Sequence, residues 1–345
     1  MADRTLRGAI FGAGFWARYQ IAGWKELEGV ELVALYNRTR EKAERLAEEF
    51  GIPAVYDDPE RLIRQERPDF VDIVTDVDTH PRFVFLAAEH RVPVICQKPI
   101  APNLELAERM VQVCREAGVP FFIHENWRWQ RPLREVKRLL NERRIGRVFR
   151  GRIQYSCSFP VFENQPFLKE LDQFILTDIG SHILDVARFL FGEARSLYCQ
   201  IHRVHPDIRG EDVATVMMRM GATGTTVVCE MSYASRLERE RFPETFLLIE
   251  GERGSIELGP DYWVRLTTEE GTFARRYPPP RYAWADPDYG LIHASIVDCH
   301  RDLLRALQTG GLPETDGADN LKTARLFFGA YDSAREDRVL HFEET

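Results

Sequence analysis

Along its first third the chain alternates short apolar runs with stretches whose apolar positions recur at helical spacing. Residues 6–11 form a strand-like run, and residues 16–27 follow with helical character. Residues 31–37 read as a strand. Residues 39–50, rich in Ala, Glu, Lys and Arg, read as a helix that stops at Gly51. The alternation continues with a strand over 70–75, a helix over 79–90 with Pro81 in its first turn, and a strand over 92–96. A helix over 103–117, capped by Asn103 and stopped by Gly118, leads into a strand over 119–123. Repeated β-α-β units predict a parallel sheet with helices on both faces, because such crossovers are right-handed.

Beyond residue 123 the texture changes. A helix over 132–141, an alternating strand over 148–159 and a helix over 177–191 come first. Strands then dominate: 196–203, 213–220, 225–233, 245–250, 255–258 and 262–267. Gly221-Ala222-Thr223-Gly224 and Gly251-Glu252-Arg253-Gly254 mark turns between them. Helices over 292–309 and 320–334 close the chain. The pattern predicts an α/β domain of the doubly wound type over 1–123. An α+β domain on a large, mainly antiparallel sheet is predicted over 124–345. Ligands of open parallel sheets sit beyond the carboxyl ends of the strands, so the second domain is expected to wall off that edge.

Composition narrows the class without naming a function. The 345 residues suit about two domains. Hydrophobic content of 44% and charged content of 29% are those of an ordinary soluble protein. A net charge of −8 argues against nucleic acid as a partner. The basic stretch Arg143, Arg144, Arg147, Arg150 and Arg152 reads as a solvated helix end running into a strand. Asp3 and Arg4 precede only a short apolar run, unlike a secretion signal, and no apolar run approaches about 18 residues, so no membrane span is expected. Six cysteines without a C-x-x-C pair fit buried thiols in a reducing cytoplasm. His202 and His205 form the only close histidine pair and lack a third ligand, so no metal site is expected.

Three stretches carry candidate chemistry. Gly12-Ala13-Gly14-Phe15-Trp16-Ala17 joins the first strand to the first helix as G-x-G-x-x-A. Gly12 permits the turn, Gly14 admits a pyrophosphate against backbone, and Ala17 allows close helix–strand packing. The helix start offers N–H groups to the phosphates, which makes Phe15 and Trp16 cofactor contacts. Cys96-Gln97-Lys98-Pro99-Ile100 lies just past another strand, aiming Gln97 and Lys98 at the same edge, as Thr75 is aimed from the strand before. Asp178-Ile179-Gly180-Ser181-His182 places Asp178 and His182 at i and i+4 on one helix face. Asp185 follows one turn later, where Arg188 is spaced to pair with it. Read singly, Lys98 is a surface lysine, Asp178 a helix cap and His182 a structural histidine. Behind a dinucleotide turn they form a set suited to alcohol oxidation, in which a base must take the hydroxyl proton.

Together, the glycine turn, Lys98-Pro99, the D-x-G-x-H-x-x-D run from Asp178 to Asp185 and the closing Asn320-Leu321-Lys322-Thr323-Ala324 resemble the Gfo/Idh/MocA oxidoreductases over nearly the whole chain. The resemblance implies an NAD(P)-dependent oxidoreductase moving a hydride between nicotinamide and a sugar, polyol or sugar acid. It implies His182 as general acid/base, Lys98 on the reacting oxygen, and Asp178 orienting imidazole or substrate. An ammonium there stabilises developing alkoxide charge. Asn126 and Arg128 are read as facing the cleft, and Tyr155, Phe162 and Gln173 as sugar contacts. His80, matching a family position, is read as a packing or hydrogen-bonding residue, and Trp127, Trp129, Phe121 and Phe122 as core. The antiparallel sheet, with one face in need of cover, suggests a homodimer or homotetramer through the second domain.

Two departures bear on activity and cofactor. Gln97 stands where the family often has Glu, which removes a charge beside Lys98. Asn37 stands where an acid would hold the ribose of NAD, and Arg38 and Arg40 are suited to a 2′-phosphate, so the pattern leans to NADP over NAD. Two other readings fit the fold: a non-catalytic, nucleotide-sensing regulator and an NAD-dependent glycosidase.

Overall fold

A computed structural model describes residues 4–342 of the chain. The chain divides into two compact units, described separately below. The first comprises the chain up to Asn126 together with Tyr282–Ala285 and Ile296–Ala324; the second comprises Trp127–Arg281, Asp286–Ser295 and the chain from Arg325 onwards.

In the first unit the elements run β1 (Leu6–Phe11), α1 (Phe15–Lys25), β2 (Val30–Tyr36), α2 (Arg40–Phe50), β3 (Ala54–Tyr56), α3 (Pro59–Glu66), β4 (Phe70–Ile73), α4 (His80–Glu89), β5 (Val94–Gln97), α5 (Leu104–Ala117) and β6 (Phe121–His124). The six strands are parallel in the order β3-β2-β1-β4-β5-β6. Strand order reverses at β1 and β4, so the ligand crevice of such a sheet opens beyond Phe11 and Ile73. Asn103 caps α5 by accepting from the Leu106 N–H, and Gly118 ends that helix in left-handed geometry, both as predicted. The short pair β3 and α3 escapes the sequence pattern. A three-residue strand has no readable period, and α3 is held by Asp58, which accepts from the Glu60 and Arg61 N–H groups.

In the second unit come α6 (Arg131–Asn141), β7 (Val148–Ser156), α7 (Val161–Asn164), a π turn (Leu176–Gly180), α8 (Ser181–Phe191), β8 (Ala194–His202), β9 (Val213–Met220), β10 (Thr225–Ser232), β11 (Phe246–Gly251), β12 (Gly254–Gly259), β13 (Trp263–Thr268) and β14 (Gly271–Arg276). The chain closes with α9 (Gly290–Thr309), α10 (Gly317–Glu336) and β15 (Leu340–His341). The nine-stranded sheet has the order β14-β13-β12-β11-β7-β10-β9-β8-β15, antiparallel except where β7 meets β10. One row across it, Cys199, Val216, Cys229, Ile153, Leu247, Leu258 and Val264, is buried on the face that α8 and α6 cover. Strand alternation thus places one face inward, as period two requires.

The two units do not follow the contiguous division at residue 123. Ile296–Ala324 belongs with the first unit, where the His300 ring stacks on Trp24 at 3.9 Å. The Thr315 hydroxyl donates to the Ile123 carbonyl at 2.8 Å, and the Ile123 N–H donates to the Thr315 carbonyl at 2.8 Å. A local pattern cannot announce such a return. The arginine stretch is locally balanced: Arg147 pairs with Glu252, Arg150 with Glu250 and Arg152 with Glu230.

Candidate active site

The turn after β1 is built for a group that comes close to backbone. Gly12 sits at φ +117°, and a Cβ there would lie 2.3 Å from the Val74 carbonyl oxygen, so only glycine fits. Gly14, the residue before α1, has nothing within 4 Å of where its Cβ would be. That open cradle faces a helix N-terminus, the arrangement that receives a pyrophosphate. Ala17 is fully buried against the sheet, whereas Phe15 and Trp16 are half-buried with Tyr19 in an edge-to-face group. The Gln97 amide nitrogen, at the end of β5, is buried without a hydrogen-bond partner among the described residues. These observations fit a dinucleotide at this edge, with Gly12, Gly14 and Gln97 among the residues that would receive it.

Asn37 does something the sequence reading did not anticipate. Its Oδ1 accepts from the Ala13 N–H at 3.1 Å and its Nδ2 donates to the Thr39 carbonyl at 2.8 Å, tying the glycine turn to the end of β2. Arg40 bonds Glu44 one turn along α2, whereas exposed Arg38 forms no salt bridge among the described residues. Thr39 occupies the cap position of α2 without a side-chain cap bond.

Lys98, half-buried, follows β5 and joins Pro99 through a cis peptide. Behind this turn, buried His80 links three backbone carbonyls. Its Nδ1 lies 3.1 Å from the Pro99 oxygen and 3.3 Å from that of Ile100, and its Nε2 lies 3.1 Å from that of Thr75. Burial pushes the His80 pKa down, and the carbonyls partly offset this. The Thr79 hydroxyl reaches Thr75 Oγ1 at 2.7 Å. The expected hydrogen-bonding role of His80 is therefore specific: it joins the end of β4 to the Lys98 turn.

In the second unit, Asp178 and His182 meet one row of aromatic rings. Tyr233 donates to Asp178 Oδ2 at 3.2 Å, Tyr233 lies edge-on to Tyr155 at 5.9 Å, and Tyr155 is 5.4 Å from Trp127. Trp127 stacks on the His182 imidazole with centroids 4.5 Å apart and planes 7° from parallel. The helix carrying both residues is not the uniform α-helix predicted. Leu176–Gly180 is a π turn before α8, so Asp178 lies inside the wider turn and not at a cap position. Glu211 holds this start by accepting from the Phe174 N–H at 3.2 Å, the Leu176 N–H at 3.1 Å and the Tyr331 hydroxyl at 2.6 Å. Single-turn π segments recur at functional sites.

Several of the expected contacts are buried or have partners within the chain. Arg128, read as facing substrate, makes a two-pronged bond to buried Asp185, Nε to Oδ2 at 2.8 Å and Nη2 to Oδ1 at 2.5 Å. Arg188, spaced to pair with Asp185, makes that salt bridge at 3.8 Å and also forks onto Glu193. Tyr155 is fully buried beneath Trp127, and Asn126 is buried at the end of the first unit. Phe162 packs against Phe174 at 5.4 Å. Nothing in the local sequence of Glu211 signals partners 35, 37 and 120 residues away.

Fold and turn together define a dinucleotide-binding oxidoreductase architecture. Residues 6–125 match the oxidoreductase family with an NAD-binding Rossmann fold, and residues 133–257 match the GFO/IDH/MocA C-terminal domain. The chain belongs to the Gfo/Idh/MocA family and is an NAD(P)-dependent oxidoreductase. It is 41% identical to a D-apiose dehydrogenase of Paraburkholderia graminis over 99% of this chain and 90% of that protein. A D-apiose dehydrogenase of Rhizobium rhizogenes is 39% identical over 97% of both chains. A crystal structure of an oxidoreductase from Agrobacterium radiobacter, in complex with NAD+, L-tartaric acid and magnesium, matches with a TM-score of 0.96. That chain is 39% identical, with 98% of each chain covered. Among the described residues no helix is long and apolar enough to cross a membrane.

Proposed function

We propose that the protein oxidises a small branched or simple sugar, with D-apiose as the first substrate to test, and that Lys98, Asp178 and His182 carry the reaction. The carrying observation is Asp178 and His182 meeting one aromatic row, on a chain 41% identical to a D-apiose dehydrogenase along almost its full length. Bound dinucleotide supplies the hydride acceptor. His182 takes the proton of the reacting hydroxyl as the C–H hydride leaves, because imidazole is matched to neutral pH. The Lys98 ammonium stabilises the oxygen as negative charge develops on it. Asp178, held by Tyr233, orients the imidazole or a sugar hydroxyl.

The test is steady-state NADH formation from D-apiose, within a panel of sugars and polyols offered with NAD+ and NADP+. A nucleotide-sensing regulator forms no reduced cofactor with any of them, and a retained-cofactor glycosidase gives no net change; either result sinks the proposal. His182→Ala is expected to lower turnover at least about a hundredfold with cofactor affinity nearly unchanged.

For the cofactor, we propose that both dinucleotides are accepted and that Arg38 sets the balance toward NADP. Exposed Arg38 supports the 2′-phosphate contact, and the NAD+ bound by the Agrobacterium relative supports NAD. We further propose a homodimer or homotetramer formed through the outer sheet face. Met217 and Leu248 are 50% and 41% exposed there, beside half-buried Val228. Analytical ultracentrifugation that finds only monomer removes this part. A cytoplasmic setting is supported by the six cysteines, all buried and none in a disulfide among the described residues.

A further inference from the structure

Two neighbouring residues of the short turn after β6 grip α8 at points one helical turn apart. Trp127 lies flat on His182, and Arg128 forks onto Asp185, three residues further on. Both grips are buried: Trp127 is 1% exposed, Arg128 5% and Asp185 0%. We propose that this Trp127–Arg128 pair is the positioning element of His182, with Trp127 fixing the plane of the imidazole and the Arg128–Asp185 fork fixing where Trp127 stands. The inference rests on His182 as the acid/base.

The physical case starts from the histidine side chain. Rotation about its ring bond is broad and roughly two-fold, so a helix places the ring but does not set its plane. A proton-transfer group that swings loses rate, since misplacement by about 1 Å costs on the order of a hundredfold. A face-to-face stack sets the plane while occupying only the ring face. Both nitrogens lie on the ring edge, so the stack does not compete with a hydroxyl for them. Indole suits this task because it is large, flat and rigid.

The fork accounts for an otherwise costly feature. A buried ion pair commonly contributes little net stability, because desolvation offsets the attraction. Its two parallel hydrogen bonds nevertheless fix direction as well as distance, which a point charge cannot do. Because Arg128 directly follows Trp127, clamping its guanidinium on Asp185 sets the backbone from which the indole projects. The arrangement reassigns Arg128 from substrate contact to positioning.

The experiment compares variants of the full-length enzyme, assayed with D-apiose and NAD+. Trp127→Leu is expected to lower kcat about ten- to hundredfold with KM and NAD+ affinity little changed. Trp127→Phe, which keeps a flat face, is expected within about threefold of the parent. Arg128→Lys keeps charge but loses the fork, and is expected to fall with Trp127→Leu. Where removing one partner of the fork prevents folding, the double variant Arg128→Met with Asp185→Leu removes both charges and is expected to fold with the same kcat loss. Unchanged kcat in Trp127→Leu, equal losses in the Leu and Phe variants, or a loss confined to KM would overturn the proposal. If His182→Ala itself retains turnover, the catalytic reading has failed instead, and the two failures are told apart.

Discussion

The two units hold their candidate groups in place with different materials. Around Gly12 the holding is done by backbone: a turn with no room for a Cβ, a helix start, and carbonyls gathered by His80 and Asn37. Around His182 it is done by side chains brought from afar. Arg128 and Asp185 are 57 residues apart in sequence, and Tyr233 and Asp178 are 55 apart. A backbone-built site depends on what its residues lack, so it tolerates no added atom. A side-chain-built site depends on partners, so it fails when either partner is lost.

The sharpest break of that comparison lies within the turn itself. Gly12→Ala forces a Cβ against the Val74 carbonyl at an unfavourable φ, and is expected to cost about 3–5 kcal/mol of stability, read by denaturant unfolding. Gly14→Ala meets no atom and is expected to change stability by less than about 1 kcal/mol. It should nevertheless weaken dinucleotide binding about tenfold or more, by filling the cradle. Equal stability losses in the two variants would refute the division of labour.

The units also differ in their response to pH. In the first, buried Asp72 accepts from the Trp24 indole N–H at 2.8 Å, and burial pushes its pKa up to about 7 from 3.8. The folded chain therefore holds a proton that the unfolded chain releases. Stability falls as pH rises from about 4 to about 7 and is level above that, by up to about 4 kcal/mol. Asp72→Asn removes this slope. In the second unit, burial pushes His293 down to about 4 from 6.5, and its Nδ1 accepts from the Asp286 N–H at 3.1 Å. Here the unfolded chain takes the proton first, so stability falls as pH drops from about 6.5 toward 4, by up to about 3 kcal/mol. The slopes oppose each other in the overlapping window, so each variant should unmask the other. Urea unfolding across pH 4–8 on Asp72→Asn and His293→Gln reads both; parallel curves would contradict the assignment.

The smallest effect concerns cofactor choice. Arg38→Ala is expected to weaken NADP binding about tenfold and leave NAD within about twofold, measured by fluorescence titration. A loss shared by both cofactors would place Arg38 in general binding rather than phosphate recognition.

Much of the first unit was legible because its signals are local. The glycine turn, the Asn103 cap and the Gly118 stop each depend on residues within a few positions, so periodicity and turn chemistry suffice. The strands of the second sheet were legible for the same reason, though β14 and β15 were not: one is exposed along its whole length and the other has two residues. In the candidate site, Asp178 and His182 stand out by spacing, but the residues that hold them do not. By local pattern Trp127 reads as core and Arg128 as a substrate contact, and Glu211 carries no signal. Their roles are defined by partners that local pattern does not contain.

The sequence by itself determined the parallel sheet, its dinucleotide turn and the identity of the candidate chemical groups. These follow from period, backbone freedom and residue type, which are properties of neighbouring residues. Only the tertiary structure decided that residues 296–324 rejoin the first unit, that Asn37 ties the glycine turn, that a π turn carries Asp178, and that Arg128 serves Asp185. Apart from the π turn, each of these is a contact between distant segments. Such contacts arise when buried polar groups must find partners wherever the fold supplies them.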